Sequence, residues 1–422
     1  MASSEKKTVV PQSLIAEESV KKVLETDKGS DVLLKSWKVV DFTKPGDNYT
    51  CFVTSVEVKF SKGNGEDCEV TYIVKLNAQR KMEGFPDMTP FLFTKEGKFY
   101  EQLVPVLNEA LTAAGQKPLR FPRCFLVLLE EGKEQIYFED LRARGFKMFD
   151  RRKGMSKDHC ALVLAELARL HGASYLLRKK FLEGRPAAEK YDFLAQDFFN
   201  FFPKAEDLFL PMLESNVDTG IMMLEKVGGY EKAIEWLKPF KLEIGNVFST
   251  GMQSERYSTI CHGDCWNNNI LFKYDDEGRP VDLMLVDLQM CREVSLACDL
   301  NYFLYTSVTG DVRRPNIDHF MSIYHSTYKG VLEAGGLPMY FNQEELLEEF
   351  RGKNKTGLVF ALGLIPALLM EPDEVPELSD RDLDELMQEL RMITLSKLKT
   401  HPLCKPRYLS IFDEFMETGL IS

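Results

Sequence analysis

The segment Ile260-Cys261-His262-Gly263-Asp264-Cys265-Trp266-Asn267-Asn268-Asn269-Ile270-Leu271-Phe272, followed by Val286-Asp287-Leu288-Gln289, constrains the fold of this chain more than any other stretch. It reads H-G-D-x-x-x-x-N, with a second aspartate closing the next apolar run. Asn269 leads into an apolar strand to Phe272, a turn follows over 274–280, and a second strand ends in Asp287, so a hairpin carries these polar groups at its ends. This is the layout of a phosphotransferase catalytic loop and its metal-binding partner. A hairpin whose acidic residues merely cap turns leaves the offset between Asp264 and Asn269 unexplained.

The chemistry accounts for the residue types. A phosphoryl group leaving ATP spreads negative charge over its oxygens, and Mg²⁺ held by hard oxygen ligands absorbs much of it. Asn269 offers a neutral carbonyl oxygen and Asp287 a carboxylate, a set suited to magnesium. Asp264 is the expected catalytic residue. An ordinary aspartate has a pKa of about 3.9, far below that of an unactivated hydroxyl, so full deprotonation before attack is not expected. Asp264 is therefore expected to orient the acceptor hydroxyl and take its proton late in the transfer. With that role filled, His262 is expected to support the loop through hydrogen bonds.

C-H-G-D-C-W-N-N-N-I-L-F, V-D-L-Q, the later C-D-L-N-Y-F-L at Cys298 to Leu304 and the upstream F-E-D-L at Phe138 to Leu141 together resemble the ecdysteroid kinase-like proteins of insects, relatives of choline and aminoglycoside kinases. The resemblance runs from about Gly46 to the C-terminal helices and is strongest between Ile260 and Leu304. It implies an α+β, bilobal protein-kinase-like fold, with a small antiparallel-sheet N-lobe and a larger, mainly helical C-lobe. It also implies ATP- and magnesium-dependent transfer of the γ-phosphate to a hydroxyl of a small, apolar molecule. Ecdysteroids and xenobiotic alcohols or phenols are the implied acceptors. Protein kinases carry D-F-G where this chain has Asp287-Leu288-Gln289, and no A-P-E follows, so a phosphorylatable activation loop is not expected. A catalytically silent small-molecule binding protein on the same fold is the alternative, because fold does not fix function.

Upstream, helical spacing over Ser13 to Leu34 predicts an N-terminal helix, and runs at Trp37 to Phe42, Phe52 to Phe60 and Val70 to Leu76 predict an antiparallel sheet. The turn between the first two strands has one glycine, and Asn48, Tyr49 and Thr50 are its candidate nucleotide contacts. Lys75 lies within the apolar strand Tyr72 to Leu76, where a charge requires an anionic partner or a water-facing position. It matches the ATP lysine of the resembled family. Glu96, in a helix expected over Phe93 to Leu111, is its preferred partner over Glu101. Glu139 and Leu141, where an apolar strand breaks into a polar segment, are expected to contact the adenine edge through backbone groups. The expected division is an N-lobe over 1–138, a hinge over 139–145 and a catalytic and substrate-binding lobe over 146–422.

Helical periodicity dominates after Lys157. His171 is expected to be structural, and the resemblance implies that Asp299 matches a family aspartate that braces the catalytic loop. Phe193, Phe198, Phe199, Phe201, Phe202 and Phe209 form an aromatic segment, the best sequence-level candidate for acceptor selectivity. The apolar stretch Gly357 to Met370 is short for a bilayer and contains Pro366, which predicts a buried helix with a break rather than membrane insertion. With 422 residues, 44% of them hydrophobic, the chain can bury the cores of two lobes. Its net charge of −12, with no basic stripe visible in the sequence, argues against a nucleic-acid partner. Nine scattered cysteines and a polar N-terminus predict reduced thiols and a cytoplasmic location.

Overall fold

The computed structural model describes residues 10–41, 51–78, 87–150, 152–197, 201–202, 205–371, 374, 376 and 383–422. The N-terminal part is a five-stranded antiparallel sheet ordered β1-β2-β3-β5-β4, with β1 Val32–Asp41, β2 Phe52–Lys62, β3 Asp67–Leu76, β4 Cys124–Leu128 and β5 Gln135–Glu139. Val56, Val58 and Phe60 of β2 and Tyr72, Val74 and Leu76 of β3 are buried with a period of two, so they share one face of the sheet. The helix Glu17–Lys28 closes that face with Val20, Val23 and Leu24, giving this part a core of its own. Lys75 alternates with Val74 and Leu76 and therefore projects from the opposite face.

The N-terminal helix is shorter than its apolar spacing predicts. A 3₁₀ turn at Pro11–Leu14 precedes it, and it ends at Lys28 because Gly29 takes φ +93°. Val32 to Leu34, read as helical, pair instead with β2. The helix expected over Phe93 to Leu111 is a composite of Thr89–Lys98, a π-turn Phe99–Leu103 and Val104–Ala113. Pro105 has no N–H to bond one turn back, which accounts for the wider turn ahead of it.

The remainder is mainly helical. Its central helix, Lys157–Phe181, is long and apolar enough to cross a bilayer by composition, yet 78% of that apolar window is buried inside the fold. There it packs against Ile317–Ala334. The helix Asn354–Leu368 runs through Pro366 without the expected break; the proline lies in the last turn, and the helix stops two residues later. Two small sheets sit among the helices. β6 Lys147–Met148, β8 Ile270–Tyr274 and β9 Pro280–Leu285 form one, and β7 Ser258–Cys261 with β10 Arg292–Ser295 forms the other. The loops from β7 to β8 and from β9 to β10 carry the two acidic motifs. The architecture is thus the α+β bilobal, kinase-like fold expected from the resemblance.

Candidate active site

Asp299 fixes the loop between β7 and β8 from below. Its Oδ2 accepts from the His262 backbone N–H at 2.7 Å and its Oδ1 from the Gly263 N–H at 2.9 Å, while His171 Nε2 lies 3.1 Å from Oδ2. Burial pushes this carboxyl up, but the His171 hydrogen bond and charge, His262 and the Gly263 N–H outweigh it and hold it below the usual carboxylate range. His171 is in turn held by the Tyr324 hydroxyl at 2.7 Å. His171, Cys261 and Asp299 lie close enough for a metal, but Asp299 is committed to N–H groups and the Cys261 thiol to strand carbonyls. The group works as a polar brace.

Gly263 sits at φ +81°, and a Cβ there would come within 2.0 Å of the Met290 carbonyl oxygen. The loop before Asp264 is pressed against the loop that follows Asp287, a contact only glycine permits. Gly263→Ala is therefore expected to destabilise the fold by at least about 2 kcal/mol, from the left-handed backbone and the overpacking together. Urea denaturation checks this, and a midpoint equal to wild type would contradict the close approach. His262 joins the same two loops. Its Nε2 donates to the Val286 carbonyl at 3.0 Å, and its Nδ1 accepts from the Asp264 N–H at 3.3 Å, which commits both ring nitrogens to the backbone.

Asp264 and Asn269 meet across the loop. Asn269 Nδ2 donates to Asp264 Oδ2 at 2.8 Å and to the Asp264 carbonyl at 3.0 Å, and the Tyr302 hydroxyl donates to Asp264 Oδ1. Burial, then the charge of Asp287, raise the Asp264 pKa, with the Tyr302 and Asn269 hydrogen bonds opposing them. Tyr302 stands one helical turn after Asp299 on the helix Leu296–Ser307, so a single helix supplies both the brace and the donor to Asp264.

Asp287 is one of two described non-glycine residues with positive φ, at +66°, a conformation aspartate tolerates better than most side chains. Its Oδ1 lies 2.5 Å from Lys75 Nζ, which lies 2.5 Å from Glu96 Oε2. Glu96 is only 2% exposed and Glu101 faces solvent, so geometry selects Glu96. Burial pushes the Lys75 ammonium down, but Asp287 and Glu96 outweigh it and hold its pKa well above the usual value. Gln289 completes the group: its Nε2 donates to Asp287 Oδ2 at 3.2 Å, and its Oε1 accepts from Lys75 at 3.5 Å.

One cavity of about 350 Å³ gathers these residues. Lys75, Glu96, Glu139, Leu141, Asp264, Asn269 and Asp287 all line it, whereas Asn48, Tyr49 and Thr50 lie outside the described residues. At the end of β5, the Glu139 carboxylate is tied to the Arg123 N–H and to Arg144, and its own N–H donates to the Arg123 carbonyl at 2.9 Å. Leu141 opens a 3₁₀ turn, whose first N–H groups have no partner within the helix. The donors suit magnesium: the Asn269 amide nitrogen is committed to Asp264, leaving its carbonyl oxygen, and Asp287 adds an anionic oxygen.

None of the described phenylalanines of the aromatic segment lines this cavity. Phe193 belongs to the main core, Phe202 and Phe209 pack with Phe91 and Leu92, Phe201 is exposed, and Phe198 and Phe199 lie outside the described residues. The apolar wall beyond Asp264 comes instead from Trp266 and Leu364, which sequence reasoning did not single out. Trp266 is two residues from Asp264 within the motif itself, a signal that was available; Leu364 is a hundred residues away, and only folding brings it there.

No curated protein matches the sequence. Among solved structures, the chain is similar to an ethanolamine kinase from Plasmodium vivax, with 11% identity over 96% of this chain and 97% of that one and a TM-score of 0.43. It is also similar to a choline kinase from Streptococcus pneumoniae, with 15% identity over 81% and 98% and a TM-score of 0.34. The description "ecdysteroid kinase-like family" matches residues 45–336, well over half of the sequence. The chain belongs to the ecdysteroid kinase-like family.

Proposed function

We propose that this protein is an ATP- and magnesium-dependent kinase that phosphorylates a hydroxyl of a small, apolar molecule, with ecdysteroids and xenobiotic alcohols or phenols as the acceptor classes. The observation that carries the reading is that Lys75, Asp264, Asn269 and Asp287, drawn from distant parts of the chain, line one cavity. In this reading residues 1–138 hold the nucleotide, 139–145 form the hinge and 146–422 carry the catalytic loop and acceptor site, in the cytoplasm. Lys75, fixed by Glu96, pairs with phosphate oxygens, and backbone at Glu139 and Leu141 meets the adenine. Asn48, Tyr49 and Thr50 remain candidate nucleotide contacts. Asn269 and Asp287 hold magnesium, which when bound neutralises charge developing on the transferred group.

Asp264 does the positioning at the acceptor. Each carboxylate oxygen has more than one lone pair, so Asp264 can keep Tyr302 and Asn269 while accepting from a substrate hydroxyl. The elevated Asp264 pKa narrows the gap to the hydroxyl without closing it, in keeping with late proton transfer.

The test is incubation with ATP, magnesium and a panel of steroid and phenolic alcohols, with phosphate monoesters read by mass spectrometry. Magnesium-ATP is expected to stabilise the protein, by about 2.7 kcal/mol at a hundred times its Kd, in a thermal-shift measurement. Stabilisation by a lipophilic ligand alone, with no ester formed, would establish the silent binding protein instead.

A further inference from the structure

A second cavity, of about 570 Å³, lies between the segment 186–197, the helix Ile244–Ser249 and β10, and it shares no lining residue with the cavity that holds Asp264. Its volume falls within the range of small-molecule sites. Arg292, the first residue of β10, lines it and is only 7% exposed. The guanidinium donates from Nε to the Met290 carbonyl at 3.3 Å, while Nη1 has only the Met252 sulfur, at 3.6 Å. Nη2 makes no hydrogen bond among the described residues, yet it is not sealed from solvent. No carboxylate among the described residues pairs with Arg292. Arginine stays charged at any ordinary pH, so a buried guanidinium in this condition lacks the anion that normally offsets its desolvation.

Two further cations share these surroundings. Arg178 lines the same cavity, donates from Nε to the Gly184 carbonyl at 2.8 Å and has no carboxylate partner among the described residues. Lys95 is 2% exposed and donates to the carbonyl of Gln196, a lining residue, at 2.5 Å. Burial pushes the Lys95 ammonium down to about 8, and the charge of Arg292 adds to that fall against Cys291 and Asp197. Three carboxylates also border the cavity, but none is spent on either arginine. Glu293 accepts from the Ala188 N–H at 2.7 Å, Asp197 acts on Lys95, and Glu255 is exposed.

We propose that this cavity binds a small organic anion, whose carboxylate or phosphate oxygens pair with the Arg292 guanidinium under the added charge of Arg178, while Leu194, Phe248 and Val294 take its apolar body. A planar guanidinium meets such oxyanions through its N–H fork, and Nη2 is the arm that the fold leaves open. The proposal is independent of the phosphotransfer reading, because no residue given a role there lines this cavity.

The experiment compares benzoate and phenyl phosphate with benzamide, a neutral compound close in shape to benzoate, by calorimetry in excess magnesium-ADP. At least one anion is expected to bind the wild-type protein roughly tenfold or more tightly than benzamide, the worth of one charge-assisted hydrogen bond, and the tighter of the two identifies the class. In Arg292→Met, which keeps the length of the side chain without its charge, the preference should disappear. It should shrink in Arg178→Gln, a half-buried position that decides the matter where Arg292→Met folds poorly. No preference in the wild type, or an undiminished one in either folded variant, would overturn the site. Magnesium-ADP keeps the probes out of the nucleotide cavity. If it fails to bind, the kinase reading falls while the arginine variants still decide this one.

Discussion

Asp264→Asn is expected to lower the rate of phosphate ester formation by roughly 10²- to 10⁴-fold, the range for loss of a positioned general base. The substitution suits the site because the fold should tolerate it. An asparagine there can turn its carbonyl oxygen to the Asn269 amide, which donates at 2.8 Å, and its own amide to the Tyr302 oxygen. What is lost is the negative charge and the capacity to take a proton from the acceptor. Magnesium-ATP should still raise the melting temperature, since Lys75, Asn269 and Asp287 are untouched. Single-turnover measurements isolate the chemical step, and a variant with the wild-type rate would remove Asp264 from the mechanism.

Lys75→Met is expected to be costly for the fold as well as for turnover. The ammonium lies within 2.5 Å of both Glu96 and Asp287. Removing one member of a buried ionic group leaves uncompensated charge and typically costs about 3 to 5 kcal/mol. Burial, with the charge of Asp287, holds the Glu96 pKa above the usual value even though Lys75 and the Leu288 N–H oppose it. In the variant Glu96 therefore favours its protonated form in the folded protein. Its folded pKa then lies further above the unfolded value than in the wild type, so more of the stability present at low pH is lost as pH rises through that window. The variant should fall further below wild type at pH 8 than at pH 5. Urea midpoints at the two values decide it, and a pH-independent deficit would argue against an unpaired buried carboxylate. Magnesium-ATP should no longer stabilise the variant appreciably.

Much of the site was legible in the sequence because its groups are packed into short local patterns. Asp264 and Asn269 share one loop, Asp287 ends the following strand, and Lys75 alternates with apolar neighbours on β3. Spacing of two along a strand fixes which side chains share a face, so the exposure of Lys75 to the cleft followed from its neighbours. Boundaries were less legible. Gly29 cut the first helix short, and Pro105 widened the turn in the second, because one residue's backbone outweighs the average propensity of its neighbours.

What the sequence determined by itself is the set of chemical groups and their local order: the loop motif, the second aspartate, the lysine strand and the helices after Lys157. Tertiary structure alone decided which distant groups meet. It selected Glu96 over Glu101, carried the Tyr302 hydroxyl to Asp264, and placed Leu364 beside Trp266 where the aromatic segment had been expected. The physical reason is that such contacts are set by how whole elements pack to bury their apolar faces, and periodicity names the buried face of an element without naming what it will meet.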